Sequence, residues 1–267
     1  MKCTPALMVP ALVLTAATAQ ADPVLHDYTQ AVFGPNSADI TNPFLNYQTG
    51  TLSIFEGQAE DGLEHIETLS TSNTLNILGV ENRVVQDLEY IDGLLVEIAL
   101  DWYAQDNEGN VWYFGEDVVN YNYDDVGNLE STDTEGSWIA DGIDSFPGIL
   151  MRDAPLEGDL YFQEWAPGVA FDFAEVQSRT MTVDIDFGTF DNVLTTGEGN
   201  LFDEPEGEIV EFKHYALGTG LVQVQEFDDD GNVEFELTLI SQETVPEPGS
   251  IALLGTATLM VLRRRRA

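Results

Sequence analysis

The chain has 267 residues, with 48 acidic side chains against nine basic ones and a formal net charge of −39. All 48 acids lie between Asp22 and Glu247, where only Arg83, Arg152, Arg179 and Lys213 oppose them, a net charge of −44 for that stretch. Such a field repels nucleic acid and anionic lipid, which excludes nucleic-acid binding. The one cysteine, Cys3, excludes disulfides and thiolate chemistry from the rest of the chain.

Lys2 supplies a charged start, Ala6 to Ala17 is largely apolar, and Ala19-Gln20-Ala21 is an Ala-x-Ala cleavage signature. Residues 1–21 therefore read as a signal peptide that leaves Asp22 first in the mature protein. Cys3 lies inside it, too early to be the lipid-modified residue of a lipoprotein. Residues 22–35 form an N-terminal segment, in which Asp22-Pro23 caps a short helix reaching Phe33 and Gly34-Pro35 stops it. Residues 36–240 read as one domain, long enough to bury a sizeable core.

Strands are expected near Thr51–Phe55, Glu64–Thr71, Glu81–Tyr90, Leu94–Trp102 and Val111–Tyr121. Phe171-Asp172-Phe173, Thr182 to Phe187, Val222-Gln223-Val224 and Asn232 to Leu239 alternate polar and apolar residues, the period of a half-buried strand. Turn signals separate them at Ile91-Asp92-Gly93, Asn107 to Asn110, Asp125 to Asn128 and Asp230-Gly231-Asn232. The expected fold is mainly β, an antiparallel meander forming a half-barrel or open barrel with few short helices.

Residues 241–249 read as a proline-containing linker carrying Pro246-Glu247-Pro248. An apolar stretch from Ile251 to Leu262 follows, then Arg263-Arg264-Arg265-Arg266. The apolar stretch falls short of the roughly 20 residues of a spanning helix. A cationic block behind it nonetheless acts as a stop that stays on the cytoplasmic side. Together the motif, apolar stretch and arginines resemble the sorting tail of PEP-CTERM proteins, which exosortases process in Gram-negative bacteria. The resemblance implies partners in the export machinery and an exosortase, a membrane-anchored precursor, and a final place at the cell surface or in the extracellular matrix.

Chemical motifs are sparse. Asp228-Asp229-Asp230-Gly231-Asn232 invites a calcium reading, but position twelve from Glu226 is Leu237 rather than glutamate, so a hairpin turn accounts for it better. Salt or divalent cations would relieve the self-repulsion of the surface, and a saline habitat explains the acids more simply than dedicated cation binding. His26, His65 and His214 have no zinc spacing, no Gly-x-Ser-x-Gly elbow occurs, and no metal or cofactor is implied. His214 reads as a surface or cross-strand residue kept neutral by Lys213. Glu116-Asp117 and Asp124-Asp125 flank the aromatic runs Trp112-Tyr113-Phe114 and Tyr121-Asn122-Tyr123. Paired acids on aromatic platforms suit sugar cleavage, although acids this abundant also meet by chance.

The run Asp101 to Asp106, then Gly109 to Asp117, resembles a family of uncharacterised bacterial secreted proteins. The likeness continues through Glu135-Gly136-Ser137-Trp138, Pro147 to Met151, Gly158 to Glu164, Pro167 to Ala170, Phe190 to Leu194 and Lys213 to Val222. Ala140-Asp141-Gly142 departs from the Ala-Gly of relatives. Tyr215 to Val222 is similar to the half-barrel group of TapB-like proteins and, more distantly, to the lipoprotein-carrier fold. That implies an incomplete barrel with an apolar concavity and no settled activity. Two function classes follow. One is a non-catalytic surface or matrix protein, holding an apolar ligand or extracellular polysaccharide, with Trp102, Trp112, Trp138 and Trp165 as candidate lining. The other is a hydrolase of polysaccharide or peptide using acids such as Glu116 and Glu164.

Overall fold

The structure is a computed structural model that describes residues 22–59, 62–202, 207–227 and 232–246. The signal peptide, most of the Asp228–Asn232 turn, and Glu247 with everything after it lie outside the described residues. Fifteen strands follow in order: β1 (Thr51–Gln58), β2 (Leu63–Ile77), β3 (Val80–Ile91), β4 (Leu94–Gln105), β5 (Val111–Tyr123), β6 (Leu129–Asp133), β7 (Trp138–Ile139) and β8 (Phe146–Met151). Then come β9 (Leu160–Phe162), β10 (Glu164–Trp165), β11 (Asp172–Ile185), β12 (Gly188–Asn200), β13 (Glu211–Ala216), β14 (Gly220–Phe227) and β15 (Val233–Thr244).

These form one antiparallel sheet in the order β10-β8-β5-β4-β3-β2-β1-β15-β14-β13-β12-β11-β9, with β6 and β7 added beside β5. The expected meander is there, and it is nearly closed into a barrel with one seam. The two edges of the sheet, β9 and β10, are consecutive in the chain with only Gln163 between them. Gln163 is 4% exposed and reaches both sides of the seam. Its backbone N–H donates to Asp172 O of β11 at 2.8 Å, and its Nε2 donates to Leu150 O of β8 at 3.3 Å.

Tight turns are written in a repeated local code. In Asp106-Asn107-Glu108-Gly109-Asn110 the Asp106 carboxylate accepts from the N–H groups of Glu108 and Asn110 and from Asn110 Nδ2. In Asp124-Asp125-Val126-Gly127-Asn128 the Asp124 carboxylate does the same for Val126 and Asn128. Aspartate side chains bonding backbone two residues on make such turns self-sufficient. The same Asp-x-x-Gly-Asn spelling recurs at Asp228–Asn232.

Two expectations need correction. The helix expected up to Phe33 is a single 3₁₀ turn, Tyr28–Gln30, capped by Asp27. The backbone before it is taken by the sheet: Val24 N–H donates to Leu160 O and Val24 O accepts from Phe162 N–H, both at 3.1 Å. The aromatic rings of the segment then cover the outer face of β5, with Phe33 edge-on to Trp112 and Phe114 and Tyr28 edge-on to Phe114. The second correction concerns residues 241–244, read as linker. They are strand, because β15 continues until Thr244 pairs with Thr51.

Residues 36–47 cross one end of the barrel and plug it. Ser37 Oγ bonds Glu81 O, Arg83 Nε bonds Ala38 O, and Asn42 Nδ2 bonds Gly109 O and Arg152 O. Pro43 O accepts from Gly218 N–H, and Asn46 Nδ2 bonds Gln242 Oε1. Ile40, Phe44 and Leu45 are buried beneath and join the larger core cluster with Val85, Tyr103, Phe114 and Tyr161. A second cluster gathers Phe55, Val183, Val193, Val222, Leu237 and Leu239. The opposite end of the barrel, where β3 turns into β4 and β5 into β6, is the rim.

Two glycines carry the closure. At Gly115, φ is +134° and a Cβ would lie 2.4 Å from Trp138 O; at Gly148 a Cβ would lie 2.3 Å from Gln163 O at the seam. Gly115→Ala, through backbone strain and a clash with Trp138 O, and Gly148→Ala, through overpacking against Gln163 at the seam, should each lower stability by about 1–3 kcal/mol, read as a shift of the urea midpoint.

Candidate functional site

Strand pleating decides which side chains meet inside the barrel, since alternate residues face opposite sides. Register pairs Val85 with Asp101, Asp87 with Ala99 and Glu89 with Glu97, so these share the inner face of β3 and β4. On β5 the Gly115 bulge changes the count: Tyr113 pairs with Tyr103 while Glu116 pairs with Asp101. One extra residue thus turns both Tyr113 and Glu116 inward.

The result is a ladder of rings from the plug to the seam. Tyr47 stacks on Tyr103 with centroids 5.4 Å apart, Tyr103 packs on Tyr113 at 4.6 Å, and Tyr113 meets Trp138 edge-on at 5.6 Å. Trp138 Nε1 then donates to Glu164 Oε2 at 2.6 Å. Partway along, Tyr113 OH donates to Asp101 Oδ1 at 2.5 Å. Across the barrel Lys213 Nζ lies 3.0 Å from Glu198 Oε2 and 2.9 Å from Glu211 Oε1, and Thr196 Oγ1 donates to Glu198 Oε1 at 2.6 Å.

Burial raises the interior acids Asp87, Asp101, Glu116 and Glu164 above the usual carboxylate range. Burial, then the charges of Asp87 and Glu116, push Asp101 well above the usual carboxylate range. Burial raises Asp87 too. Glu164 is raised well above its range by burial, then by Asp172 and Glu116. Glu116 is pushed up to about 7 by burial and then by Glu97. For Lys213 burial acts to lower the pKa, but Glu198 and Glu211 outweigh it and the ammonium is held well above its usual value. The buried phenols of Tyr103, Tyr113 and Tyr215 are raised by burial first. A protonated carboxyl both donates and accepts hydrogen bonds, so such acids can be satisfied by neutral groups beside them.

The four tryptophans are not brought together. Trp138 is inside, on the ladder. Trp112 is 3% exposed on the opposite face of β5, under Phe33, with its Nε1 on Asp106 Oδ2 at 2.9 Å. Trp102 shares that outer face of β4 and is partly buried against the larger core. Trp165 sits at the seam between Phe162 and Phe171. Glu116 and Asp117, being adjacent on a strand, face opposite sides, so Glu116's acidic neighbours are Asp101, Glu97 and Glu164 rather than Asp117. Asp124 is consumed by its turn.

His214 is a cross-strand residue, 2% exposed, between Thr195 Oγ1 at 3.0 Å and Gln225 Oε1 at 3.3 Å. Burial is the first cause that lowers its pKa, rather than Lys213. Among the described residues no three His, Cys, Asp or Glu side chains are grouped to hold a metal ion. At the rim, a cleft of about 1010 Å³ lies between the β3–β4 turn and the β5–β6 hairpin. Glu89, Asp92, Glu97, Asp125, Asp133 and Glu135 line it together with Ile91, Tyr121 and Tyr123. Sequence reasoning missed Asp87, Asp101 and the Lys213–Glu198 pair. Asp101 did leave a signal, a lone acid inside the apolar run Ile98 to Tyr103.

The interior carboxyls fix the direction of pH dependence. Glu116 at about 7 lies above its ordinary 4.5, so between these values the folded protein keeps a proton that the unfolded chain gives up. That contribution is complete below about pH 4.5 and fades as pH rises to 7. Asp87, Asp101 and Glu164 act in the same direction. The urea midpoint should therefore be higher at pH 5 than at pH 7.5, and Glu116→Gln should flatten the difference.

Among curated proteins no relative matches the chain. Two solved structures are similar at a TM-score of 0.40 each. One, provisionally described as a lipoprotein of Parabacteroides distasonis, shares 12% identity over 76% of this chain and 99% of its own. The other, provisionally described as an exported protein with a YmcC-like fold from Bacteroides fragilis, shares 14% identity over 75% of this chain and 98% of its own. The family that matches is the PEP-CTERM protein-sorting motif, over residues 244–266: the chain carries the signal of an exported protein that an exosortase processes.

Proposed function

We propose that the barrel is a non-catalytic component of the cell surface or extracellular matrix, delivered by its sorting signal, and that its inner face holds a ligand along the aromatic ladder. One observation carries the reading. Three of the buried interior carboxyls are committed to protein partners, Asp101 to Tyr113 OH, Glu164 to Trp138 Nε1, and Glu198 to Lys213 Nζ, while Asp87 Oδ1 is buried without a partner. Structural networks of this kind perturb pKa values without catalytic purpose. Rings of Tyr103, Tyr113 and Trp138 supply apolar faces, while the neutral carboxyls and phenols between them favour a ligand with hydroxyl groups over plain hydrocarbon.

The second reading, a hydrolase, has one specific observation in its favour. Glu116, pushed up to about 7, stands near Glu164, which burial holds well above its usual range, and two carboxyls with separated pKa values are the pairing of base and acid that hydrolysis uses. Against it, Glu164 already gives one oxygen to Trp138.

Native mass spectrometry of residues 22–245 purified from cells, with and without calcium, tests both. The binding reading expects a co-purified mass of sugar or lipid type that Trp138→Ala or Tyr103→Ala removes. A bare chain that releases reducing ends or peptides from extracellular matrix, with release lost in Glu116→Gln and Glu164→Gln, would replace it with the hydrolase.

A further inference from the structure

The direction of β15 orients the protein. β15 runs from Val233 at the rim to Thr244 at the plugged end, where it pairs with Thr51 beside the 36–47 crossing. Val245 N–H still donates to Gly50 O at 2.8 Å. The sorting motif begins at residue 244, on the last residue of that strand, so the tail leaves the barrel at the plugged end with no intervening spacer. Only the five residues from Pro246 to Ser250 precede Ile251, the start of the apolar stretch before Arg263 to Arg266. Even fully extended they reach at most about 18 Å.

The strand itself is longer. Its 12 residues span about 40 Å, or about 30 Å of barrel height at the usual strand tilt. Turning the rim to the bilayer would need a tether at least as long as the barrel wall, and the tail is too short for that.

We infer that in the membrane-anchored precursor the plugged end of the barrel faces the bilayer and the acidic rim cleft faces away from it. The plugged end is thus the surface that the bilayer and the processing enzyme meet. The rim is presented to solutes and polymers beyond the membrane. This rests on reading residues 251–266 as a membrane anchor.

Energy transfer from a single site-attached fluorophore to acceptor lipids in the outer leaflet tests the orientation, using full-length precursor kept unprocessed in cells without exosortase. On a Cys3→Ser background the chain has no other cysteine. Leu217→Cys, 66% exposed in the turn beside Pro43, marks the plugged end, and Val126→Cys, 81% exposed in the β5–β6 turn, marks the rim. Over a height of about 30 Å, transfer from position 217 should exceed that from 126 by at least about twofold. Inserting a 20-residue Gly/Ser spacer between Val245 and Pro246 should collapse the difference. Equal or reversed transfer in the unspaced, membrane-bound precursor overturns the orientation. A precursor that fails to sediment with membranes fails earlier and separately, and removes the anchor reading together with the orientation built on it.

Discussion

An open antiparallel sheet exposes two rows of unpaired backbone N–H and C=O groups, which invite pairing with other chains. Here both rows belong to neighbouring segments, β9 and β10, and Gln163 ties them with one backbone and one side-chain hydrogen bond. Everything else depends on that near-closure. It separates an inside from an outside along every strand, gives the pleat a meaning, and lets a chain without disulfides in its folded region bury two apolar clusters. Gly148 has no side chain because the seam passes over it, and the parallel bridge from Val24 to Tyr161 seals the same place from outside.

Once an interior exists, the composition becomes a problem for it. A chain this acidic cannot keep every carboxylate at the surface when its inner residues alternate with its outer ones. Asp87, Asp101, Glu116 and Glu164 have no counter-ion and their pKa values rise instead, with Tyr113 OH bonding Asp101 and Trp138 Nε1 bonding Glu164. Lys213 is the exception, because two glutamates close on it from the neighbouring strand and its own. Burying an acid as a neutral group costs far less than burying a carboxylate. It also leaves the interior responsive to pH in the sense opposite to proteins stabilised by paired carboxylates.

The strands were legible wherever a half-buried period ran unbroken, as in Val233 to Leu239, because alternation alone specifies a pleated surface with one dry face. Turns were legible from Asp, Gly and Asn. What could not be read was the assignment of faces. Trp112 and Tyr113 are neighbours on one strand, so they cannot both line a concavity, and only closure decides that Tyr113 goes in and Trp112 out. The bulge at Gly115 shifts the count again, which brings Glu116 beside Asp101 and hides that meeting from any local pattern. The N-terminal segment misled for a related reason. Its backbone bonds go to β9, more than a hundred residues away, and no helical signal near Asp22 carries that information.

The pairing of β1 with β15 has a consequence for assembly in time. Residues 51–200 and 211–244 fold largely through hairpins between neighbours, whereas Thr51 and Thr244 must find each other across nearly the whole domain. Such a distant contact forms late, after the entropy of a long loop has been overcome. The strand that completes the barrel is therefore also the last to emerge during synthesis and export, directly ahead of the sorting signal. Translocation timing and barrel completion are thereby coupled: until β15 has crossed, β1 and β14 remain open edges, and the quality of the fold is decided in the moments when the tail reaches the membrane.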